Sequence, residues 1–255
     1  MITVQAIMDG IEEWAPRMSQ EPWDNCGLSV GQPQTPVTGV LLCLDCTEAV
    51  VKEAISLGYN MVVSHHPLIF KGLLHLCEST VAERTVALAL RNHVAVYSAH
   101  TNADKAWNGV SWAMANALHL KEVDVLDAGG LGLVGNLPAP MSPHAFRMLL
   151  KDTFHLQGMK ASAGYNTPIQ RVALCGGSGS SLIAQALETG AQAYVSGDFS
   201  YHHYFDVIPR MMLVDIGHYE SEVGVLVSFS EVLTKKFPTF AVRITQENTN
   251  PIEFY

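Results

Sequence analysis

Basic side chains are scarce in this sequence of 255 residues, which has 15 Lys and Arg against 24 Asp and Glu and a formal net charge of −9. Proteins that bind the nucleic-acid backbone use Lys and Arg to displace its counterions. The acidic balance therefore argues against general affinity for DNA. The negative net charge is compatible with one locally positive pocket, because bound divalent cations would create such a pocket.

Long apolar runs are also missing, since no stretch approaches the ~18 residues that indicate a membrane span. Residues 1–16, MITVQAIMDGIEEWAP, have neither a basic n-region nor a long apolar h-region, so we expect no secretion signal. Five cysteines make an odd count, which favours reduced thiols and a cytoplasmic protein. Cys43 and Cys46 form a lone C-x-x-C, interpreted as two small apolar residues at a strand exit because no second Cys or His pair completes a site.

The sequence contains an internal repeat. Residues 40–66 align without a gap on residues 172–198, and both copies read as an apolar strand, an amphipathic helix, a Gly and a second apolar strand. Gly58 and Gly190 are placed as left-handed caps after the helices. The pattern is that of a βαβ unit, whose two strands run parallel.

The repeat predicts an α/β protein of two related lobes, which arise by internal duplication and face each other across a metal-containing cleft. The first lobe is predicted to comprise residues 1–120 plus 219–255, and the second residues 121–218. Ser142 and Pro143 mark the start of a further helix, as N-cap and first helical residue. TFAVRITQ, residues 239–246, is expected to add a final strand to the sheet of the first lobe.

Histidines and carboxylates stand just beyond the ends of the predicted strands. Ligands of parallel α/β sheets gather at these carboxyl ends. Imidazole and carboxylate suit Zn²⁺, Fe²⁺ or Mn²⁺, and five such groups exceed the needs of one tetrahedral ion. We therefore predict two divalent ions per subunit, with adjacent histidines diverging to serve one ion each. The predicted ligands are His65, His66, Asp104, His218 and Glu222.

The H-x-x-x-carboxylate spacing recurs in both copies, because His100 and Asp104 align on His218 and Glu222. At i, i+4 on a first helical turn, His218 and Glu222 would share one face. His100 is accordingly predicted as a contact for substrate or for the metal ligands.

Three further residues or segments carry weaker signals. Asp198 and His202, in SGDFSYHHY, occupy the place of the paired histidines in the second copy and are candidate proton-transfer groups. The Gly-rich turn 175–181, CGGSGSS, fits either a phosphate cradle or a tight capped turn. Trp23 fits either stacking on a base or packing in the core, and the core is favoured.

The segments SHHPLIF, HTNAD, GHYESE and EPWDNCGLSVG together resemble the Nif-three-like family of dinuclear-metal hexameric proteins, the GTP cyclohydrolase I type 2 homologues. The resemblance spans essentially the whole chain. It implies the same five metal ligands, with Glu222 bridging, and a toroidal homohexamer whose metal sites face an internal cavity. It also implies hydrolytic ring opening of a purine nucleotide.

The expected function is accordingly a dinuclear-metal hydrolase acting on a small molecule, in which His100, Asp198 and His202 are the candidate catalytic residues. A metal-dependent phosphoesterase or amidohydrolase fits the same ligands. A non-catalytic metal-binding scaffold or regulatory protein is the alternative of a different class. A DNA-binding ring is the weakest reading, given the acidic charge.

Overall fold

A computed structural model describes all residues from 1 to 255. The chain divides into two compact units, of which the first comprises Met1–Trp107 and Val225–Pro251. The second comprises Asn108–Gly224 and Ile252–Tyr255. None of the helices combines the length and the apolar character needed to traverse a lipid bilayer.

The first unit is built on a five-stranded sheet in the order β1-β4-β3-β2-β11. All neighbours run parallel except β1 and β4. Every residue of β2, β3 and β4 is buried, as expected for parallel strands covered on both faces. The predicted final strand is confirmed, since β11 pairs with β2. The strands are β1 (Gly27–Val30), β2 (Val40–Cys43), β3 (Met61–Ser64), β4 (Ala95–Ser98) and β11 (Val242–Ile244).

Helices cover the first sheet. Thr47 and Thr80 cap α2 and α3 by accepting hydrogen bonds from backbone N–H groups of the first turn. These two helices pack against each other over Leu41, Val62 and Val96, while α1 packs against α10. The helices are α1 (Val4–Glu12), α2 (Glu48–Ser56), α3 (Val81–Arg91), α4 (Thr101–Lys105) and α10 (Val225–Lys236).

The second unit contains a six-stranded mixed sheet in the order β5-β6-β8-β9-β10-β7. Its centre, β8-β9-β10, is parallel, and the outer pairs are antiparallel. The same arrangement of three adjacent parallel strands occurs in β2-β3-β4 of the first unit. The strands are β5 (Lys121–Val125), β6 (Leu133–Met141), β7 (Lys160–Ala161), β8 (Ile169–Ser178), β9 (Ala193–Gly197) and β10 (Met212–Asp215).

The ends of helices in both units confirm several local predictions, and the remaining helices lie in the second unit. Ser142 caps α6 through the N–H of Ala145, with Pro143 in the first turn. Gly190 ends α7 with a φ of +73°, and Gly58 follows α2 with a φ of +71°, so both adopt the left-handed conformation. The helices are α5 (Val110–Ala117), α6 (Pro143–Thr153), α7 (Ile183–Glu188), α8 (His203–Val207) and α9 (His218–Glu222).

The boundaries of the units differ from those predicted at 120/121 and 218/219. Helix α5 packs on β6 and β8, and α9 packs on β8 and β9. Residues 108–120 and 219–224 therefore belong to the second unit. The prediction assigned these residues to the first lobe. The apolar pattern of a helix does not indicate which of two sheets the helix covers.

Candidate metal centre

His65 and His66 directly follow β3, where the chain bends. Their backbone N–H groups still donate to the carbonyls of Cys43 and Leu44, at 3.0 and 2.9 Å, so the pair is held against β2. The ring centroids lie only 5.0 Å apart. The two rings therefore lie closer than strand alternation would place them, because that alternation ends at Ser64. That each histidine serves a different ion stays a prediction.

The orientation of His65 fixes which of its nitrogens can bind a cation. Its side chain is fully buried, and Nδ1 lies 3.0 Å from the carbonyl oxygen of Ala99. A carbonyl oxygen only accepts hydrogen bonds, so Nδ1 carries the proton and Nε2 carries the lone pair in the neutral ring. Nε2 lies 3.6 Å from Oδ1 of Asp104. A lone pair and a carboxylate oxygen at this spacing are suited to enclose a positive charge.

Carboxylates orient the neighbouring imidazoles in the same way. Nδ1 of His66 lies 2.8 Å from Oδ1 of Asp45, and Nδ1 of His100 lies 2.9 Å from Oδ1 of Asp24. One nitrogen from each of His65, His66 and His100 falls within 4.8 Å of the others. Such outer carboxylates fix the tautomer and the ring orientation of metal-binding histidines.

Asp24 is the most heavily bonded of these outer groups, and its side chain is completely buried. Burial alone would raise its pKa, but hydrogen bonds from His100 and Thr101 outweigh that effect and hold the pKa well below the usual range. The carboxylate thus stays charged and fixes both His100 and the start of α4. Burial, reinforced by Asp24, raises the pKa of the adjacent Cys26 to about 12, so Cys26 remains a thiol.

The second unit brings His218 and Glu222 together on α9. As predicted, the two share one helical face, with Nε2 and Oε2 3.2 Å apart, and Glu222 is buried. Nδ1 of His218 lies 2.7 Å from Oδ2 of Asp198. The lone pair on Nε2 thus faces a carboxylate, as in His65 and Asp104.

The Gly-rich turn makes room for Glu222. A Cβ atom on Gly177, whose φ is +65°, would lie 2.1 Å from Oε1 of Glu222. A Cβ atom on Gly176 would lie 2.1 Å from Val110. The N–H of Gly177 donates to Oγ of Ser221, which ties α9 to β8. Cys175–Ser178 continue β8, so the predicted turn begins later than expected. Gly176 and Gly177 serve close packing against Val110 and Glu222, which favours the structural interpretation of this segment.

Of the other predicted residues, Asp198 contacts His218. His202 is exposed before α8, with its ring edge-on to Tyr201 at 5.5 Å. Trp23, which we expected in the core, is 59% exposed. Its ring contacts those of Phe70 and His100, and both residues are distant from Trp23 in the sequence.

Two carboxylates that orient imidazoles, Asp45 and Asp24, were not among the residues predicted from the sequence. Asp45 lies two residues after β2, at the carboxyl end where ligands gather, and this position was a usable signal. Asp24 lies within EPWDN, but nothing in its spacing points to His100. The hydrogen-bonded partners are 76 residues apart, so only the fold reveals the pair.

The donor chemistry fits divalent metal. Imidazole nitrogens and carboxylate oxygens suit Zn²⁺, Fe²⁺ and Mn²⁺, and the ring orientations are already fixed in each unit. The groups that could hold ions are His65, His66, His100 and Asp104 in the first unit and His218 and Glu222 in the second.

Comparisons with known proteins identify the family to which this chain is similar. The profile of the Duf34/NIF3 (NGG1p interacting factor 3) family matches residues 2–251. A Clostridium perfringens protein named GTP cyclohydrolase 1 type 2 homolog is 30% identical over 97% of this chain and 98% of its own. A Lactococcus lactis protein of the same name is 33% identical over 94% and 95%.

A solved structure shares the fold. The Bacillus cereus protein related to NIF3 superposes with a TM-score of 0.92 over 100% of both chains, at 24% identity. The profile match over residues 2–251 and the relatives at 30% and 33% identity show that the chain belongs to the Duf34/NIF3 family.

Proposed function

We propose that this protein is a dinuclear-metal-dependent hydrolase of a small molecule. One observation carries the proposal: each histidine among the expected ligands is held through Nδ1 by a carbonyl or a carboxylate, which leaves Nε2 to bind an ion. The donor types favour Zn, Fe or Mn as the two ions. The proposed ligands for two ions per chain are His65, His66, Asp104, His218 and Glu222.

The proposed substrate is a purine nucleotide, and the proposed reaction is hydrolytic opening of its ring. Support comes from the relatives named GTP cyclohydrolase 1 type 2 homolog, at 30% and 33% identity. Two divalent ions would supply a hydroxide near neutral pH and polarise the bond to be cleaved.

His100 is the proposed proton carrier. Asp24 holds a proton on Nδ1, so Nε2 of the neutral ring can accept a proton from one group and return it to another. Its ring centroid lies 5.2 Å from that of His65 and 5.4 Å from that of His66. This places an acid–base group beside two of the proposed ligands.

Asp198 and His202 receive different proposed roles. The contact of Asp198 with Nδ1 of His218 supports a role in positioning that ligand. His202, which is exposed, remains a predicted proton-transfer group. The homohexamer and the cytoplasmic location implied by the family resemblance also remain predictions, which sedimentation and cell fractionation would test.

The test compares metal content with hydrolysis. Purified protein would be analysed for bound metal and assayed on guanosine triphosphate, other nucleotides, phosphoesters and amides, alongside His66→Ala. The control is His144→Ala, which alters an exposed histidine on α6. We expect His66→Ala to lose metal and activity together, and His144→Ala to lose neither.

Two results would contradict the proposal. Hydrolysis that persists after complete removal of metal excludes a metal-dependent reaction. A metal-replete protein that cleaves no member of the panel favours a binding scaffold instead.

A further inference from the structure

We propose that Trp23 and Phe70 form an aromatic platform on which the planar heteroaromatic ring of the substrate stacks, with the edge of that ring at His100. This inference rests on the proposed hydrolase function. It gives the ring of the proposed purine nucleotide a binding surface, and it favours planar nitrogen heterocycles over simple phosphate esters and aliphatic amides.

The two rings lie side by side at the surface of the first unit. Trp23 is 59% exposed and Phe70 is 48% exposed, with ring centroids 6.0 Å apart and planes inclined by 62°. Both approach His100 edge-on, at 6.2 and 6.4 Å between centroids. A ring laid on this platform would therefore have an edge close to the proposed proton carrier.

Hydrogen bonds of neighbouring residues hold the platform in place. Nδ2 of Asn25 donates to the carbonyl of Ile69 at 2.6 Å, which ties the loop bearing Trp23 to the loop bearing Phe70. Asp24 accepts from the backbone N–H of Thr101 at 3.0 Å, which fixes the first loop on α4. These bonds hold the two loops that bear the rings next to each other and next to α4.

The chemistry of the exposed surface favours a flat ring as its occupant. Leaving half of two large aromatic side chains in water forgoes hydrophobic stabilisation that burial would provide. A phosphate group or an aliphatic amide gains little from an aromatic face, whereas every nucleobase can stack on one. Nε2 of His100 can hydrogen-bond the nitrogen or oxygen atoms at the edge of such a ring.

The experiment measures binding of guanosine triphosphate and of inorganic triphosphate to the metal-loaded full chain. Inorganic triphosphate shares the phosphates but has no ring. We expect Trp23→Ala to raise the dissociation constant for guanosine triphosphate by about 10- to 100-fold and to change that for inorganic triphosphate by less than about twofold. Trp23→Phe, which keeps an aromatic face, should retain most of the affinity, and Phe70→Ala should resemble Trp23→Ala.

Trp107→Ala is the matched control, because Trp107 is 72% exposed in the same unit and should not affect binding. Quenching of tryptophan fluorescence by the nucleotide gives a second readout, and it should disappear in Trp23→Phe. Melting by circular dichroism would check that each variant is folded.

The possible outcomes separate the two proposals. If Trp23→Ala and Phe70→Ala both bind the nucleotide as tightly as the wild type does, the platform is contradicted. The proposed hydrolase function is not affected by that result. A metal-replete wild type that binds no purine, pterin or flavin overturns the platform, while cleavage of a ring-free substrate by that protein would sustain a hydrolase. Dissociation of an oligomer in Trp23→Ala, with nucleotide affinity intact, assigns the two rings to contact with a second copy and equally overturns the platform.

Discussion

Oδ2 of Asp198 lies 2.7 Å from Nδ1 of His218, and Asp198 reaches this position with a left-handed backbone, at a φ of +59°. Aspartate is among the few residues other than glycine that tolerate this conformation. The residue follows directly on β9, so a sheet end and an uncommon backbone conformation together orient one proposed ligand.

Asp198→Ala is expected to weaken metal binding about 10- to 100-fold, the range typical for loss of an outer carboxylate. Asp198→Asn should cost less, because the amide oxygen can still accept from Nδ1 and asparagine tolerates a positive φ. Metal affinity would be measured by competition with a chromogenic chelator. Asp206→Ala is the control, since Asp206 is an exposed acid on the nearby helix α8. Equal affinities for Asp198→Ala and wild type would show that this contact does not position His218 for metal.

His100→Ala should separate catalysis from metal binding. If His100 carries protons, its loss lowers the rate about 10²- to 10⁴-fold and leaves metal content unchanged. His65→Ala, which removes a proposed ligand, should lower both. Metal analysis and initial rates on the same preparations provide the measurement. Loss of an ion in His100→Ala would reassign His100 from proton carrier to ligand, which its nitrogen within 4.8 Å of those of His65 and His66 permits.

The parts of the fold that the sequence predicts best are those fixed by local patterns. The strands β2, β3 and β9 are short apolar runs followed by turn residues, and Ser142 is a good N-cap. The apolar run 172–175 predicts β8 as well, but that strand extends from Ile169 to Ser178. The spacing of His218 and Glu222 directly gives a shared helical face, because one helical turn separates them.

Other features depend on tertiary structure and have no local signal. The rings of His65 and His66 converge because the chain bends after Ser64, and strand alternation predicts the opposite. Trp23 is a large apolar residue of a type common in cores, but it is exposed in a loop that Asp24 and Asn25 join to α4 and to the segment bearing Phe70. Pairs such as Asp24 and His100 are distant in sequence, so their contact follows from the sheet order.

Gly177→Ala should weaken metal binding without removing any ligand. An added Cβ atom would lie 2.1 Å from Oε1 of Glu222, so the carboxylate has to move. Gly190→Ala is a close control, because Gly190 has a similar φ, +73° against +65°, but its Cβ atom would meet no other atom within 4 Å. Both variants bear the cost of a positive φ, about 1 kcal/mol or somewhat more. Lower metal affinity in Gly177→Ala alone would therefore report on Glu222, whereas equal affinities would show that Glu222 adapts or does not bind metal.

The burial of Tyr97 predicts how the free energy of unfolding changes at alkaline pH. Its ring is fully buried on β4, and its hydroxyl donates to Oε1 of Glu12 at 3.1 Å. Burial, reinforced by the negative charge of Glu12, holds the pKa of Tyr97 far above its usual value near 10. The unfolded chain therefore loses this proton at a lower pH than the folded chain does. The stability that Tyr97 contributes is fully present below pH ~10 and is lost as pH rises above that value.

Tyr97→Phe tests this pH dependence directly. At pH 7 the variant should lose about 1–3 kcal/mol, because Glu12 loses its hydrogen-bond donor. Above pH ~10 the wild type should lose about 1.4 kcal/mol of unfolding free energy per pH unit more than the variant, so the difference between them narrows. Urea unfolding at pH 7, 10 and 11 measures the difference, with Tyr201→Phe as the control at a tyrosine that is 73% exposed. A difference between wild type and Tyr97→Phe that stays constant from pH 7 to 11 would mean that Tyr97 ionises equally in both states, against the burial and the contact with Glu12.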